Sequence, residues 1–282
     1  MENIFEYSFV ARSLLGALFA SITAGLAGTY IVSRRLVFLS GGITHASFGG
    51  IGLGYYLGIN PVVGAAVFGL GSALGMEYLS VRGKMREDSA IGILWALGMA
   101  VGIIFVYLTP GYAPNLMSYL FGSILTVTYG DLVALGIISV VLILYTALFY
   151  RTLLYISFDE NYARTFTRHV DLFKYISVGL TGLAIVLNIR MAGVIMIIAL
   201  LTIPANIIML FTRKYLRIII FSTAVSFVGI GAGFAISWFT NLPTGATIVS
   251  VLVLFWLLAR AVRAACRKRM AVRTERQAQL SK

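Results

Sequence analysis

Long apolar segments dominate the chain, and each is close to the ~20 residues that an α-helix needs to cross the core of a bilayer. We count nine, with approximate limits 9–32, 36–57, 61–81, 90–108, 132–150, 173–189, 191–211, 218–239 and 246–264. Hydrophobic residues make up 60% of the 282 residues and charged residues only 11%, too few polar groups for a water-soluble surface. The sequence therefore predicts an all-α polytopic membrane protein with about nine transmembrane helices, or eight if one segment does not span.

The basic residues test this count, because Lys and Arg collect in the cytoplasmic loops of membrane proteins. If the N-terminus lies outside and the spans alternate, twenty of the 22 basic residues fall on the inner side, and only Arg12 and Arg190 fall outside. We therefore expect an outside N-terminus and a cytoplasmic C-terminus. The net charge of +12 is interpreted as this topology signal and not as a nucleic-acid-binding surface.

Two features on the outer side and within the spans break the regular pattern. The connection near 109–131 is too apolar for a solvated loop, so we expect it to fold back into the protein. Pro204 lies in the middle of the seventh segment and predicts a kink or break of that helix.

The inner connection near 151–172 is longer than a helical hairpin needs. Asp159 and Glu160 precede Ala163 and Arg164, an order that suits the start of a short helix because acidic residues favour its positive end. A plain solvated loop fits the same residues. We expect Tyr162 and Ala163 to point to neighbouring faces, so that a bulky residue at 163 would obstruct a docked partner.

His45 is the ionisable residue that stands deepest in a predicted span. It follows Arg35 by ten residues, or about 15 Å of helix, which places it near the bilayer midplane. Ionisable groups there usually face a cavity, a partner or a substrate path, and imidazole binds zinc and similar metals. The alternative role is a hydrogen bond to a neighbouring helix. Gly41, one turn earlier, supplies no second ligand, so any metal contact is expected to be transient.

The remaining polar residues and motifs do not indicate an enzyme active site. Glu77 is the remaining acid inside a span and is expected to reach the interface or to pair with Arg82. His45 and Ser47 lie on opposite sides of a helix and cannot act as base and nucleophile. Gly83-Lys84-Met85 lacks the upstream glycines of a Walker A loop. The chain is therefore predicted not to hydrolyse ATP by that route.

Six segments, in order over about residues 12–260, resemble the permease family of bacterial ABC importers for zinc, manganese and iron(II) (the ABC-3 type). They are Ser33-Arg34-Arg35-Leu36 through Gly41-Gly42-Ile43-Thr44-His45-Ala46, Glu87-Asp88-Ser89-Ala90-Ile91-Gly92-Ile93-Leu94, Tyr119-Leu120-Phe121-Gly122-Ser123-Ile124-Leu125, Asp159-Glu160-Asn161-Tyr162-Ala163-Arg164, Gly193-Val194-Ile195 through Ala199-Leu200-Leu201-Thr202-Ile203-Pro204-Ala205, and Leu242-Pro243-Thr244-Gly245-Ala246.

The resemblance implies a type II ABC importer-like permease in the bacterial inner or plasma membrane. It implies a homodimer, cytoplasmic ABC ATPase subunits that bind and hydrolyse ATP, and an extracytoplasmic metal-binding protein. Residues 1–265 would form the permease domain, with a coupling loop near 157–168 that docks on the ATPase, and 266–282 a basic cytoplasmic tail. His45 would be a transient metal ligand on the pathway, with no permanently bound cofactor and no nucleic-acid partner.

Two departures from the family pattern bear on the metal. Family members often carry Asp where this chain has Gly41, and Asp near the position of Asn241. Both changes remove hard carboxylate oxygens, which favours zinc over manganese as the transported ion. The alternatives are a same-fold importer of a metal chelate (siderophore, haem or corrinoid) and an ATPase-independent secondary transporter or channel.

Overall fold

The computed structural model describes residues 8–110, 122 and 127–280, and every regular element in these residues is an α-helix. This confirms the all-α prediction. The helices are α1 (Ser8–Ser33), α2 (Val37–Leu57), α3 (Pro61–Val81), α4 (Glu87–Leu108), α5 (Tyr129–Leu148), α6 (Tyr150–Phe158), α7 (Glu160–Phe166), α8 (Val170–Met209), α9 (Tyr215–Thr240) and α10 (Thr244–Leu280).

Seven of the described helices are long and apolar enough to cross a membrane, fewer than the nine segments predicted. Two features account for the difference. The first is α2, which has the length of a span but is rich in glycine and also carries Ser40, Thr44, His45 and Ser47, which lower its hydropathy. The second is α8, which runs for 40 residues through two predicted segments.

A backbone interruption divides α8 at Gly193, where φ is 71° and ψ is 163°. At Pro204, eleven residues later, the backbone is helical on both sides, so no interruption occurs there, and the kink expected at this proline stays a prediction. Glycine has no Cβ and adopts such a positive φ without steric cost. Gly122 lies directly against the backbone of Ala192 and Gly193. It is the one described residue between 111 and 126, so the rest of the predicted fold-back segment lies outside the described residues.

The centre of the bundle is formed by α1 and α8, whose apolar windows are the most buried of the seven. On one side, α2 packs between α3 and α4 through glycines. Gly50 faces Gly64 of α3, and Gly52 faces Gly102 of α4, with backbone touching backbone at both places. Small residues allow this approach where lipid provides no hydrophobic drive for helix association. The close packing fixes the position of α2, which carries His45.

The predicted short helix in the inner connection is present as α7. Asp159 is its N-cap, and its carboxylate accepts a hydrogen bond from the Tyr162 backbone N–H at 3.0 Å. At the other terminus of the chain, α10 continues past residue 265 to Leu280 without interruption, so the basic tail begins as an extension of the last helix.

Candidate functional site

The His45 ring lies face to face with the indole of Trp95 on α4. The ring centroids are 4.3 Å apart and the planes differ by 5°. The His45 side chain is half-buried, and among the described residues neither of its ring nitrogens has a hydrogen-bond partner. The stacking uses the face of the imidazole and leaves its two nitrogens, which lie in the ring plane, available to a ligand. The alternative role of His45 as a hydrogen-bond donor between helices is not observed.

In the part of the chain that the structure describes, His45 has no second strong metal ligand beside it. Among the described residues, no three His, Cys, Asp or Glu side chains are grouped so that they could hold a metal ion. A Cβ at Gly41 would be 3.6 Å from Trp95 and 3.9 Å from Ile198, both ordinary van der Waals distances. The position therefore accepts a Cβ atom without a steric clash.

Asn241, the second departure from the family pattern, has a structural role. It ends α9 in the left-handed conformation with φ of 56°. Asn is one of the few non-glycine residues that favour this helix-ending geometry. The helix-ending geometry therefore explains why Asn occupies position 241, and this residue is weak evidence for the identity of the metal.

On the short helix α7, the aromatic side chains are exposed and the alanine is buried. Tyr162 and Phe166 are 52% and 60% exposed, and both rings contact Tyr155 of α6 edge-on. Ala163 is 1% exposed and packs with Ile156 and Val170. The expectation that a bulky residue at 163 would obstruct a docked partner is therefore corrected. Ala163 seats α7 on the rest of the protein, and the two aromatic rings are the part that projects.

Glu160 connects α7 to two helices of the bundle. Its Oε2 lies 3.1 Å from Lys174 Nζ on α8 and 3.7 Å from Arg34 Nη2, which follows α1. Its Oε1 accepts a hydrogen bond from Arg164 at 2.8 Å. Burial raises the pKa of the Glu160 carboxyl, but the Arg164 hydrogen bond and the charge of Lys174 outweigh it, so the pKa lies below its usual value. Glu160 is therefore ionised at neutral pH.

Two more carboxylates complete this ion cluster, which comprises Arg34, Glu77, Glu87, Glu160 and Lys174. Glu77 Oε1 of α3 is 3.1 Å from Lys174 Nζ, and Glu87 Oε1 of α4 accepts a hydrogen bond from Arg34 at 3.2 Å. The expected pairing of Glu77 with Arg82 is wrong. Glu77 instead forms an ion pair with Lys174, which lies near the start of α8.

The sequence analysis did not predict this cluster. It counted Lys174 only among the inner basic residues, and it expected Glu77 to reach the interface or to pair with Arg82. A signal was nevertheless present in the sequence. Arg34, Glu87 and Glu160 belong to three separate family-like segments and carry opposite charges at helix ends that lie on one side of the predicted membrane. Opposite charges on the same side of the membrane can be expected to pair where their helix ends lie close together.

The described residues thus form a bundle of membrane-length helices to which the short helix α7 is attached by ion pairs. A model of the ABC 3 transport family matches residues 6–263. The chain belongs to this family and is a transport permease subunit, not itself an enzyme.

Similar proteins cover nearly the whole chain. An uncharacterized membrane protein of Synechocystis is 40% identical over 93% of this chain and 94% of its own length. The manganese transport system membrane protein MntC of Listeria monocytogenes is 30% identical over 92% of both chains. The solved structure of PsaBC from Streptococcus pneumoniae in complex with Fab superposes with a TM-score of 0.79 at 28% identity, over 91% of this chain and 92% of that one. The chain is therefore similar to these proteins over more than nine tenths of its length.

Proposed function

We propose that this chain is the membrane-spanning permease of an ATP-driven importer of divalent transition-metal ions. The observation that carries the proposal is His45, a half-buried imidazole on α2, packed among the membrane-length helices, with no hydrogen-bond partner among the described residues. Ionisable side chains among membrane helices are rare and usually have a function. Transient binding of a transported metal ion would be such a function, and a relative of this chain is named as a manganese transport protein.

Zinc is the metal that the ligand chemistry favours. Imidazole nitrogen suits zinc and other borderline ions, whereas manganese prefers carboxylate and carbonyl oxygens. Gly41 offers no carboxylate one turn before His45, although a Cβ atom there would meet its neighbours only at ordinary contact distances. A single imidazole per chain is too few ligands for storage, and therefore fits brief contact during passage.

The partners follow from the family and from the shape of the inner connection. We expect a homodimer in the bacterial plasma membrane with one His45 from each copy on the shared path, an extracytoplasmic metal-binding protein, and two cytoplasmic ATPases. Tyr162 and Phe166 project from α7, and exposed aromatic side chains of this kind anchor protein interfaces. With the N-terminus outside, α7 lies in the cytoplasm, where it would meet the ATPase. Transport would then proceed by alternating access.

The test is metal uptake by cells that lack their own importer and produce this permease with its ATPase and binding protein. His45→Ala should lower uptake at least about tenfold, the loss expected when a transient ligand is removed from a path. His169→Ala is the matched control, because His169 is the only other histidine and lies exposed between α7 and α8. Competition among zinc, manganese and iron(II) then ranks the cargo.

Three outcomes would contradict the proposal. Unchanged uptake in His45→Ala would remove His45 from the path. Uptake of a siderophore, haem or corrinoid in place of the free ion would indicate a chelate importer. Uptake that continues without the ATPase would indicate a secondary transporter or channel.

A further inference from the structure

A cleft of about 630 Å³ lies between the end of α8 and the middle of α10. Its lining combines two apolar residues with four basic ones: Leu210, Ala264, Arg260, Arg263, Arg267 and Lys268. Leu210 follows the last residue of α8, and the other five belong to α10. These five are spaced as neighbours on one face of a helix, three, four, seven and eight residues after Arg260. The four cations therefore converge on one space.

The cations of this cleft have no acidic partner among the described side chains. All four are exposed, and none takes part in an ion pair there. Arg260 has a different contact, since its guanidinium carbon lies 5.0 Å from the centre of the Trp256 ring. The C-terminal end of α8 offers about half a negative charge, far less than the cations carry together. The cleft is therefore strongly electropositive.

The same face of α10 is apolar before it becomes basic. Val253 and Leu257 are 40% and 52% exposed, and Trp256 precedes Arg260 by one turn. Apolar side chains, then an aromatic ring, then basic residues are the order found where a helix passes from acyl chains into the headgroup layer. From Arg260 the basic face continues for seven to eight residues, or about 10 Å of helix. That length covers a headgroup layer of about 5–7 Å.

We propose that this cleft binds an anionic phospholipid, with the phosphate between Arg263 and Arg267 and the acyl chains along Val253 and Leu257. Basic side chains bind phosphate through charge-assisted hydrogen bonds, and basic pockets between transmembrane helices take up such headgroups. A topology signal needs basic residues only on one side of the membrane. It does not require them to share a cleft with the end of a second helix. The bound lipid would join α10 to α8, whatever ion is transported.

The test is the melting temperature of the purified full chain in detergent, with and without added lipid. Dioleoyl phosphatidylglycerol should raise it by about 5–10 °C at a hundredfold excess over Kd, because a ligand that binds only the folded chain stabilises it. Dioleoyl phosphatidylcholine has the same acyl chains but no net charge, and it should have little effect. Glycerol phosphate has the anionic group without acyl chains, and it should have little effect as well.

Variants locate the site in the cleft. Arg263→Gln combined with Arg267→Gln should remove most of the phosphatidylglycerol shift. The matched control is Lys214→Gln combined with Arg217→Gln, which removes the same charge from exposed positions at the same end of the bundle but outside the cleft, and it should keep the native shift. Arg263→Lys combined with Arg267→Lys preserves the charge and should keep most of it. Each shift is taken against the same variant without lipid, so a change in basal stability cancels.

The lipid site is overturned if phosphatidylcholine stabilises the native chain as much as phosphatidylglycerol does. It is also overturned if the cleft variant and its control lose the shift equally, which would indicate general attraction to a basic surface. An equal shift with glycerol phosphate would indicate a site for a soluble phosphate in place of a lipid. Metal uptake is not measured in this assay, so these results leave the test of the proposed function separate.

Discussion

The contact between Gly50 and Gly64 gives a prediction whose size can be worked from distances. A Cβ on Gly64 would overlap the Gly50 carbonyl oxygen and lie 2.9 Å from its carbon, against about 3.5–4.0 Å for carbon atoms in ordinary contact. Both atoms in the clash belong to backbone, so no rotamer change can relieve it. Gly64→Ala must therefore push α2 and α3 apart, at a cost of about 1–3 kcal/mol and at the upper end of that range.

Gly71→Ala is the matched control on the same helix, because a Cβ there meets nothing within 4 Å. Both variants replace glycine by alanine in a helix, which by itself stabilises by up to about 1 kcal/mol. This gain cancels in the comparison. Gly64→Ala should therefore be less stable than Gly71→Ala by about 3 kcal/mol, which corresponds to roughly 6–12 °C in Tm at 2–4 °C per kcal/mol.

The assay is the fraction of detergent-solubilised protein that remains monodisperse by size-exclusion chromatography after heating. We expect Gly71→Ala to match or exceed the native Tm and Gly64→Ala to fall below it. Because α2 carries His45, folded Gly64→Ala should also transport less metal. Equal melting temperatures for the two variants would refute the close backbone contact of α2 with α3.

Three other predictions follow from the structure. Gly41→Asp should raise the uptake of manganese relative to zinc by supplying a carboxylate one turn from His45, and Gly41→Asn, similar in shape but uncharged, should not; equal metal ratios in competition uptake would show that position 41 does not face the metal. Ala163→Trp should unseat α7 and lower uptake per ATP, measured in liposomes, and normal coupling would mean that the seat of α7 is unimportant. A reporter fused after Lys282 should be cytoplasmic and one inserted near Ala113 outside, and the reverse result would invert the topology.

The elements of the fold could be read from the sequence because their causes are local. Runs of apolar residues predicted the helices, and Asp159 before Glu160 predicted the start of α7, since an N-cap depends only on the next few residues. The expected depth of His45 in the bilayer rests on its distance from Arg35 along one helix. The family resemblance could be recognised from six short segments in the same order along the chain, and this requires no information about how the helices pack.

The interruption of α8 at Gly193 is a feature that local rules missed. Pro204 carries the usual signal for a break, but a proline removes only one backbone hydrogen bond, and packing around it can keep the helix intact. Gly193 carries a weaker signal. It is the interruption because the backbone of Gly122 lies directly against it, a contact that only the folded chain creates.

The sequence by itself determined the class of this protein: its helices, its membrane environment, its family and the single imidazole within a span. Only the tertiary structure decided which side chains meet. The stacking of Trp95 on His45, the burial of Ala163 and the sharing of Lys174 by Glu77 and Glu160 each join residues on different helices. Hydropathy and capping act over one or two turns, whereas the choice of an ion's partner depends on which helix ends arrive at the same depth. That information exists only once the bundle has packed.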